Sequence, residues 1–194
     1  MADPPGTDRV NGLVLVAAMA AVMWVSEIAD QLFGGRLDAY GIEPRTDEGL
    51  VGIALAPFLH VGFDHLAGNT VPFLAMGAAI ALSGLARVAL VTVIVIAVSG
   101  LGTWLIGPAG TDTVGVSGVV FGYGAYLLVR GFFNRDLVHL ATGLLVGALF
   151  GGALLSGLAP QPGISWQAHL FGAVGGVLAA RVLSRRGRPQ PSAA

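Results

Sequence analysis

Few side chains in this sequence can do chemistry, and those that can are Ser, His, Asn and carboxylates. Ser117 stands between glycines in Gly115-Val116-Ser117-Gly118. His65 and Asn69 are four residues apart, so on a helix they share one face and can aim two donors at one spot. His169 lies far along the chain, and His60, Asp64, Asp112, Glu27, Asp30 and His139 complete the set. A hydroxyl becomes a useful nucleophile only when a base takes its proton. Neighbouring donors can then meet the charge that develops on a carbonyl oxygen. A hydrogen bond between Ser117 and a histidine, with the His65 and Asn69 donors beside it, needs the fold to bring these distant segments close together.

The elements that must position them are membrane helices. The chain has 194 residues, 55% of them hydrophobic and 11% charged, and its mean hydropathy is +0.79. Soluble domains carry about 25% charged residues, and so much apolar surface cannot be hidden behind so few charges. This excludes a water-soluble globular domain and a disordered chain. The net charge of −1 gives no basic face for nucleic acid. There is no Cys, so disulfides, a thiolate nucleophile and cysteine zinc sites are excluded.

A membrane span needs about 20 mostly apolar residues. Six stretches qualify, about 10–32, 62–83, 87–107, 115–132, 137–158 and 166–184. A tail of residues 1–9 would precede this 10–184 domain and a tail of residues 185–194 would follow it. The run Leu50–Leu59 is too short to cross and reads as an interfacial or re-entrant segment. Arginine placement sets the orientation. With the N-terminus cytoplasmic, Arg9, Arg87, Arg130, Arg135, Arg181, Arg185, Arg186 and Arg188 lie inside, and Arg36 and Arg45 lie outside. Both termini are therefore expected in the cytoplasm.

Under that topology the second, fourth and sixth spans all start at the external face. His65 and Asn69, Ser117 and His169 then sit in the first turns of three helices, within roughly 10 Å of one boundary at 1.5 Å rise per residue. His139 falls at the opposite face. Polar groups at membrane depth are costly and are functional candidates by default. Gly118, Gly122 and Gly124 are expected to face Gly172, Gly175 and Gly176, letting the fourth and sixth spans approach closely. Glu27 and Asp30, near the outer end of the first span, read as caps or loop partners. Trp24, Trp104 and Trp166 read as interface or packing aromatics. A zinc site from His60, Asp64, His65 and His169 is disfavoured, because His60-Val-Gly-Phe-Asp-His65 is not H-E-x-x-H and no buried Glu stands ready as base. Taken alone, G-x-S-G equally suits helix packing. A channel or transporter would place polar residues along the midplane and at both faces, whereas here they gather at one.

Three segments together carry a resemblance. His60-Val-Gly-Phe-Asp-His65-Leu-Ala-Gly-Asn69, Gly115-Val-Ser117-Gly118 and Ala168-His169-Leu-Phe-Gly172 resemble, in order, the signatures of rhomboid intramembrane serine proteases. The likeness runs over about residues 10–184, and Gly41–Arg45 with Ala56–His60 resembles the compact six-span bacterial branch. It implies an all-helical bundle of six transmembrane helices with a partly embedded first external loop, in the plasma membrane. It implies that Ser117 is the nucleophile and His169 the base, with His65, Asn69 and the Ser117 amide as oxyanion donors. Phe121 matches an aromatic that packs on the His, His60 a structural histidine, and Gly172 the small residue one turn after the His. A catalytic dyad is expected, because no acid matches the third place of a triad. No cofactor or metal is called for, and the partners would be transmembrane protein substrates and the bilayer. A non-catalytic relative that binds membrane clients is the competing expectation, although such relatives usually lose the Ser or the His.

Overall fold

The computed structural model describes residues 5–184, so the expected C-terminal tail with Arg185, Arg186 and Arg188 lies outside the described residues. Helix α1 covers Pro5–Leu32, α2 Asp47–Leu55, α3 Phe63–Ala81, α4 Leu85–Ile106, α5 Ser117–Asn134, α6 Leu137–Ser156 and α7 Trp166–Val182. Short 3₁₀ turns occupy Leu37–Tyr40 and Ala56–Phe58. The helices form where the apolar runs predict them. Helix α1 starts at Pro5, so residues 5–9 of the expected tail are helical.

Polar residues in the separators set the helix starts. The Thr46 hydroxyl accepts the Gly49 N–H at 3.0 Å, Asp136 accepts the His139 N–H at 2.9 Å, and Ser165 accepts the Ala168 N–H at 3.3 Å. Each satisfies an amide that the first helical turn leaves without a partner.

Among the described residues α1, α4 and α6 are long and apolar enough to cross a membrane. The segment Asp47–Phe58, which contains most of the run Leu50–Leu59, meets α3 at a 72° bend, and the pair together forms either a broken span or a re-entrant loop. Helices α5 and α7, with 18 and 17 residues, do not meet the same test. The reason for α5 is its surroundings. It packs against α7, α6, α3 and α4 and buries both tyrosines and all four of its glycines, so protein rather than lipid covers it and it needs less apolar surface. Leu144, Leu145, Leu149 and Leu155 on α6, like Val14, Val25 and Ile28 on α1, are instead exposed. On an integral membrane protein such an outer surface faces lipid.

Bonds between helix ends sort the bundle into two ends. At one, Asp8 accepts the Leu85 N–H at 3.1 Å, Arg87 donates to the Leu183 carbonyl, and Arg130 donates to the Ser83 hydroxyl at 3.4 Å. At the other, the loops 33–46, 107–116 and 157–165 gather over the first turns of α3, α5 and α7.

The glycine pairing is tighter and narrower than expected. A Cβ on Gly172 would stand 2.1 Å from the Gly118 carbonyl oxygen, and one on Gly176 2.0 Å from that of Gly122. These two pairs set the α5–α7 crossing. Gly124 instead faces Leu154 of α6 and Met76 of α3, and Gly175 faces Val95 and Val98 of α4. The six glycines do not lie on one stripe, because α5 and α7 each touch more than one neighbour.

Candidate active site

Ser117 is the first residue of α5, and His169 is in the first turn of α7. The loop before Ser117 is strapped to the first long loop. Ile42 and Thr113 exchange backbone bonds at 2.9 and 3.1 Å, and the Gly115 N–H donates to the Ala56 carbonyl at 2.8 Å. The Val116 N–H donates to His60 Nε2 at 3.2 Å. His60 is 1% exposed, so this anchor lies out of water. Gly115 has φ +112°, and a Cβ there would stand 2.8 Å from the His65 ring. The site therefore needs glycine here twice over, for its backbone angle and for the close approach of the imidazole.

His169 Nε2 lies 2.9 Å from Ser117 Oγ. Its Nδ1 lies 2.7 Å from the Gly157 carbonyl oxygen. A carbonyl can only accept, so Nδ1 carries the proton and donates it there, which leaves Nε2 as the acceptor for the serine O–H. The neutral ring is thus held in the tautomer that a general base needs. Phe121 stacks on the same ring at 3.9 Å between centroids and 5° between planes. Ring position is fixed by a main-chain oxygen and an aromatic face, with no carboxylate.

Gly157 is the residue that the sequence does not reveal. Its contribution is a backbone carbonyl at the end of α6, and any residue carries one. The trace it leaves is the missing side chain, since a Cβ at 157 would stand 2.5 Å from Phe121 and 3.2 Å from His169 Nδ1. Ser99 of α4 carries no sequence signal either, since a lone Ser in an apolar helix is common. It donates to the Ala168 carbonyl at 2.8 Å and ties α4 to the turn that bears His169.

His65, Asn69, Ser117, Phe121, Gly157 and His169 line one cavity of about 1110 Å³. Asn69 Nδ2 donates to the His65 carbonyl at 3.0 Å, which leaves its second amide hydrogen for another acceptor. His60 is behind this wall, its ring edge-on to His65 at 5.2 Å. Trp166, expected as an interface or packing aromatic, also lines the cavity. Trp24 and Trp104 donate to Thr70 Oγ1 at 3.2 Å and to the Thr46 carbonyl at 2.8 Å. His139 is at the other end of the bundle, beside Asp136 at 3.8 Å. Among the described residues no group of three His, Cys, Asp or Glu could hold a metal ion.

Glu27 and Asp30 now have partners. Glu27 is 1% exposed and accepts from Gln31 at 2.9 Å; Asp30 accepts the Leu37 N–H at 2.6 Å and holds the loop after α1. Asp38 of that loop is half-buried, and burial, with help from Asp30, Glu27 and Asp112, pushes its carboxyl from 3.8 up to about 6. The folded chain holds this proton more tightly than the unfolded chain. The stabilisation is complete below pH 3.8 and is lost as the pH rises through about 6. Asp38→Asn is therefore expected to raise the thermal unfolding midpoint in detergent by about 2 °C at neutral pH, a small effect because the group is partly solvated. At pH 4 the two proteins should melt together. An equal difference at both pH values would show that Asp38 acts through something other than its charge.

Comparison with known proteins gives a consistent set of relatives. Residues 47–186 match the Rhomboid domain family. An uncharacterized protein of Mycobacterium tuberculosis (strain ATCC 25618 / H37Rv) is 44% identical over 183 residues, covering 90% of this chain and 76% of its own. An uncharacterized protein of Mycobacterium leprae (strain TN) is 43% identical over 187 residues, covering 90% and 72%. The Bacillus subtilis (strain 168) protein named "Putative rhomboid protease YdcA" is 34% identical over 171 residues, covering 86% and 85%.

Proposed function

The chain belongs to the rhomboid family, and from that premise we propose that it is an intramembrane serine endopeptidase that cuts single-pass membrane proteins near the external boundary of the bilayer. The observation that carries this reading is the 2.9 Å contact between Ser117 Oγ and His169 Nε2 on the wall of the cavity that His65 and Asn69 also line. The arginine asymmetry supports six spans, with both termini and the Arg-rich end cytoplasmic and the cavity external.

In the mechanism, Ser117 Oγ attacks the scissile carbonyl while its proton passes to His169 Nε2. The imidazolium that forms keeps its Nδ1–H on the Gly157 carbonyl, and the stacked Phe121 face favours the cation. The oxyanion takes hydrogen bonds from the Ser117 N–H at the start of α5, from Asn69 and from His65. Each such donor is worth about 10²–10³ in rate. Collapse releases the amine, which leaves with the proton from His169. Water entering from the external side then hydrolyses the acyl-enzyme by the same proton relay. The family resemblance suggests substrate access between α3 and α6, gated by α6 and the loop from Pro160 to Ser165. A helical peptide bond is shielded by its own hydrogen bonds, so the substrate must unwind near the cut. Helix-weakening or small residues there would favour cleavage.

The test is cleavage of a single-pass substrate by purified protein in liposomes, together with labelling by a fluorophosphonate probe. Wild type is expected to cleave and to carry the probe on Ser117. Full activity in Ser117→Ala would refute the assignment.

His60 would act as a positioning residue, through Val116. His60→Ala removes the acceptor for the Val116 N–H and is expected to lower kcat by about 10- to 100-fold with little change in KM. His60→Gln, whose amide oxygen can accept the same bond, should recover part of the loss. An effect confined to KM would count against positioning.

A further inference from the structure

The catalytic cavity has a charged wall that the hydrolase mechanism does not use. Among the described residues lining it, Asp112 is the one that carries a formal charge when both histidines are neutral. Asp112 is exposed, five residues before Ser117. Its neighbour Thr113 is pinned to Ile42 by two backbone bonds, so the carboxylate projects from anchored chain rather than from a free loop tip. Charge behind it has the same sign, since Asp112 lies near enough to Asp38 to act on its carboxyl, as do Asp30 and Glu27. Arg45, the cation that contacts this loop, donates through Nη1 to the Leu105 and Gly107 carbonyls at 3.1 and 2.9 Å. It does not line the cavity.

Asp112 and Ser117 line the same cavity, so an extended peptide held at Ser117 and running toward this loop meets the carboxylate. We propose that Asp112 is a specificity residue, and that it selects membrane substrates with an arginine or lysine between the scissile bond and the loop end of the cavity. The inference rests on the hydrolase reading. A carboxylate opposite a guanidinium gains a paired, charge-assisted hydrogen bond, and arginine fits that geometry better than lysine. A glutamate at the same substrate position meets repulsion from Asp112 and from the acids behind it. Basic residues are scarce at the external ends of membrane spans, so this preference separates substrates that small residues at the cut would not.

The experiment uses the purified full chain in liposomes with single-pass substrates that differ at one position. Arg, Gln or Glu is placed in turn at successive residues on the loop side of the cut. Wild type is expected to favour Arg over Glu in kcat/KM by about tenfold at low salt, and by much less at high salt. Asp112→Asn should level the series, and Asp112→Arg should reverse it. Equal turnover of all three substrates by wild type would overturn the specificity inference and leave the hydrolase reading standing. So would a preference that persists in Asp112→Asn. If no substrate is cut, the hydrolase reading fails, and binding of the same labelled peptides to the wild-type protein decides the remaining question. Tighter binding of the Arg peptide that is lost in Asp112→Asn supports the charged wall, and equal binding of Arg and Glu peptides overturns it.

Discussion

His169→Ala is expected to lower kcat/KM by about 10⁴-fold or more, while the protein keeps its fold and its affinity for substrate. The size follows from what the ring does. In a serine–histidine pair the two groups act as one unit, so removing either costs nearly as much as removing both. Here the ring has no carboxylate behind it. Its tautomer depends on the Gly157 carbonyl at 2.7 Å and its plane on Phe121. His169→Gln is the sharper control, because a glutamine can still bond to Ser117 or to Gly157 but cannot accept and return a proton. It should be as inactive as alanine, and neither variant should take up the fluorophosphonate probe at the wild-type rate. Turnover within tenfold of wild type in the glutamine variant would mean that some other base deprotonates Ser117. Gly157→Ala tests the support from the other side. Its methyl would press on Phe121 and on the ring, so it should lower kcat more than it raises KM.

The parts of this site that were legible in the sequence are those that side-chain identity carries. Ser117, His169, His65 and Asn69 could be placed at one end of the bundle because short separators and the arginine asymmetry leave little choice of topology. The supports were not legible, for two physical reasons. Some are backbone groups, such as the Gly157 carbonyl and the Ala168 carbonyl that receives Ser99, and these have no residue signature. Others depend on where loops cross, such as the bond from Val116 to His60 and the pairing of Thr113 with Ile42. The glycines show both sides. Their number on α5 and α7 predicts close packing, but the choice of Gly118 and Gly122 as the partners of Gly172 and Gly176 depends on the crossing of the two helices. Burial works the same way on α5, which is less apolar than α1, α4 and α6 because a helix packed among helices need not be as apolar as one that faces lipid.

Gly172→Ala is the second large effect, and it comes from a residue that touches no reacting atom. A methyl at 172 would stand 2.1 Å from the Gly118 carbonyl oxygen, 2.9 Å from its carbonyl carbon and 3.2 Å from its Cα. All three are backbone atoms of a helix packed among four others, so no side chain can turn aside. Relief requires α7 to move away from α5 by about 1 Å or more. Ser117 is next to Gly118, and His169 is less than one turn before Gly172, so the separation falls on the 2.9 Å contact between them. A proton relay that needs about 2.6–3.2 Å does not survive it, and kcat should fall by at least about 10²-fold. Overpacking should also destabilise the bundle by about 1–3 kcal/mol, read as a lower unfolding midpoint in detergent. Gly68→Ala is the matched control. It is the same substitution on α3, with nothing within 4 Å of the new methyl, and it should melt with wild type. If Gly172→Ala keeps wild-type kcat, the helices tolerate separation without losing the hydroxyl–imidazole contact, and the close glycine crossing is not what positions the site.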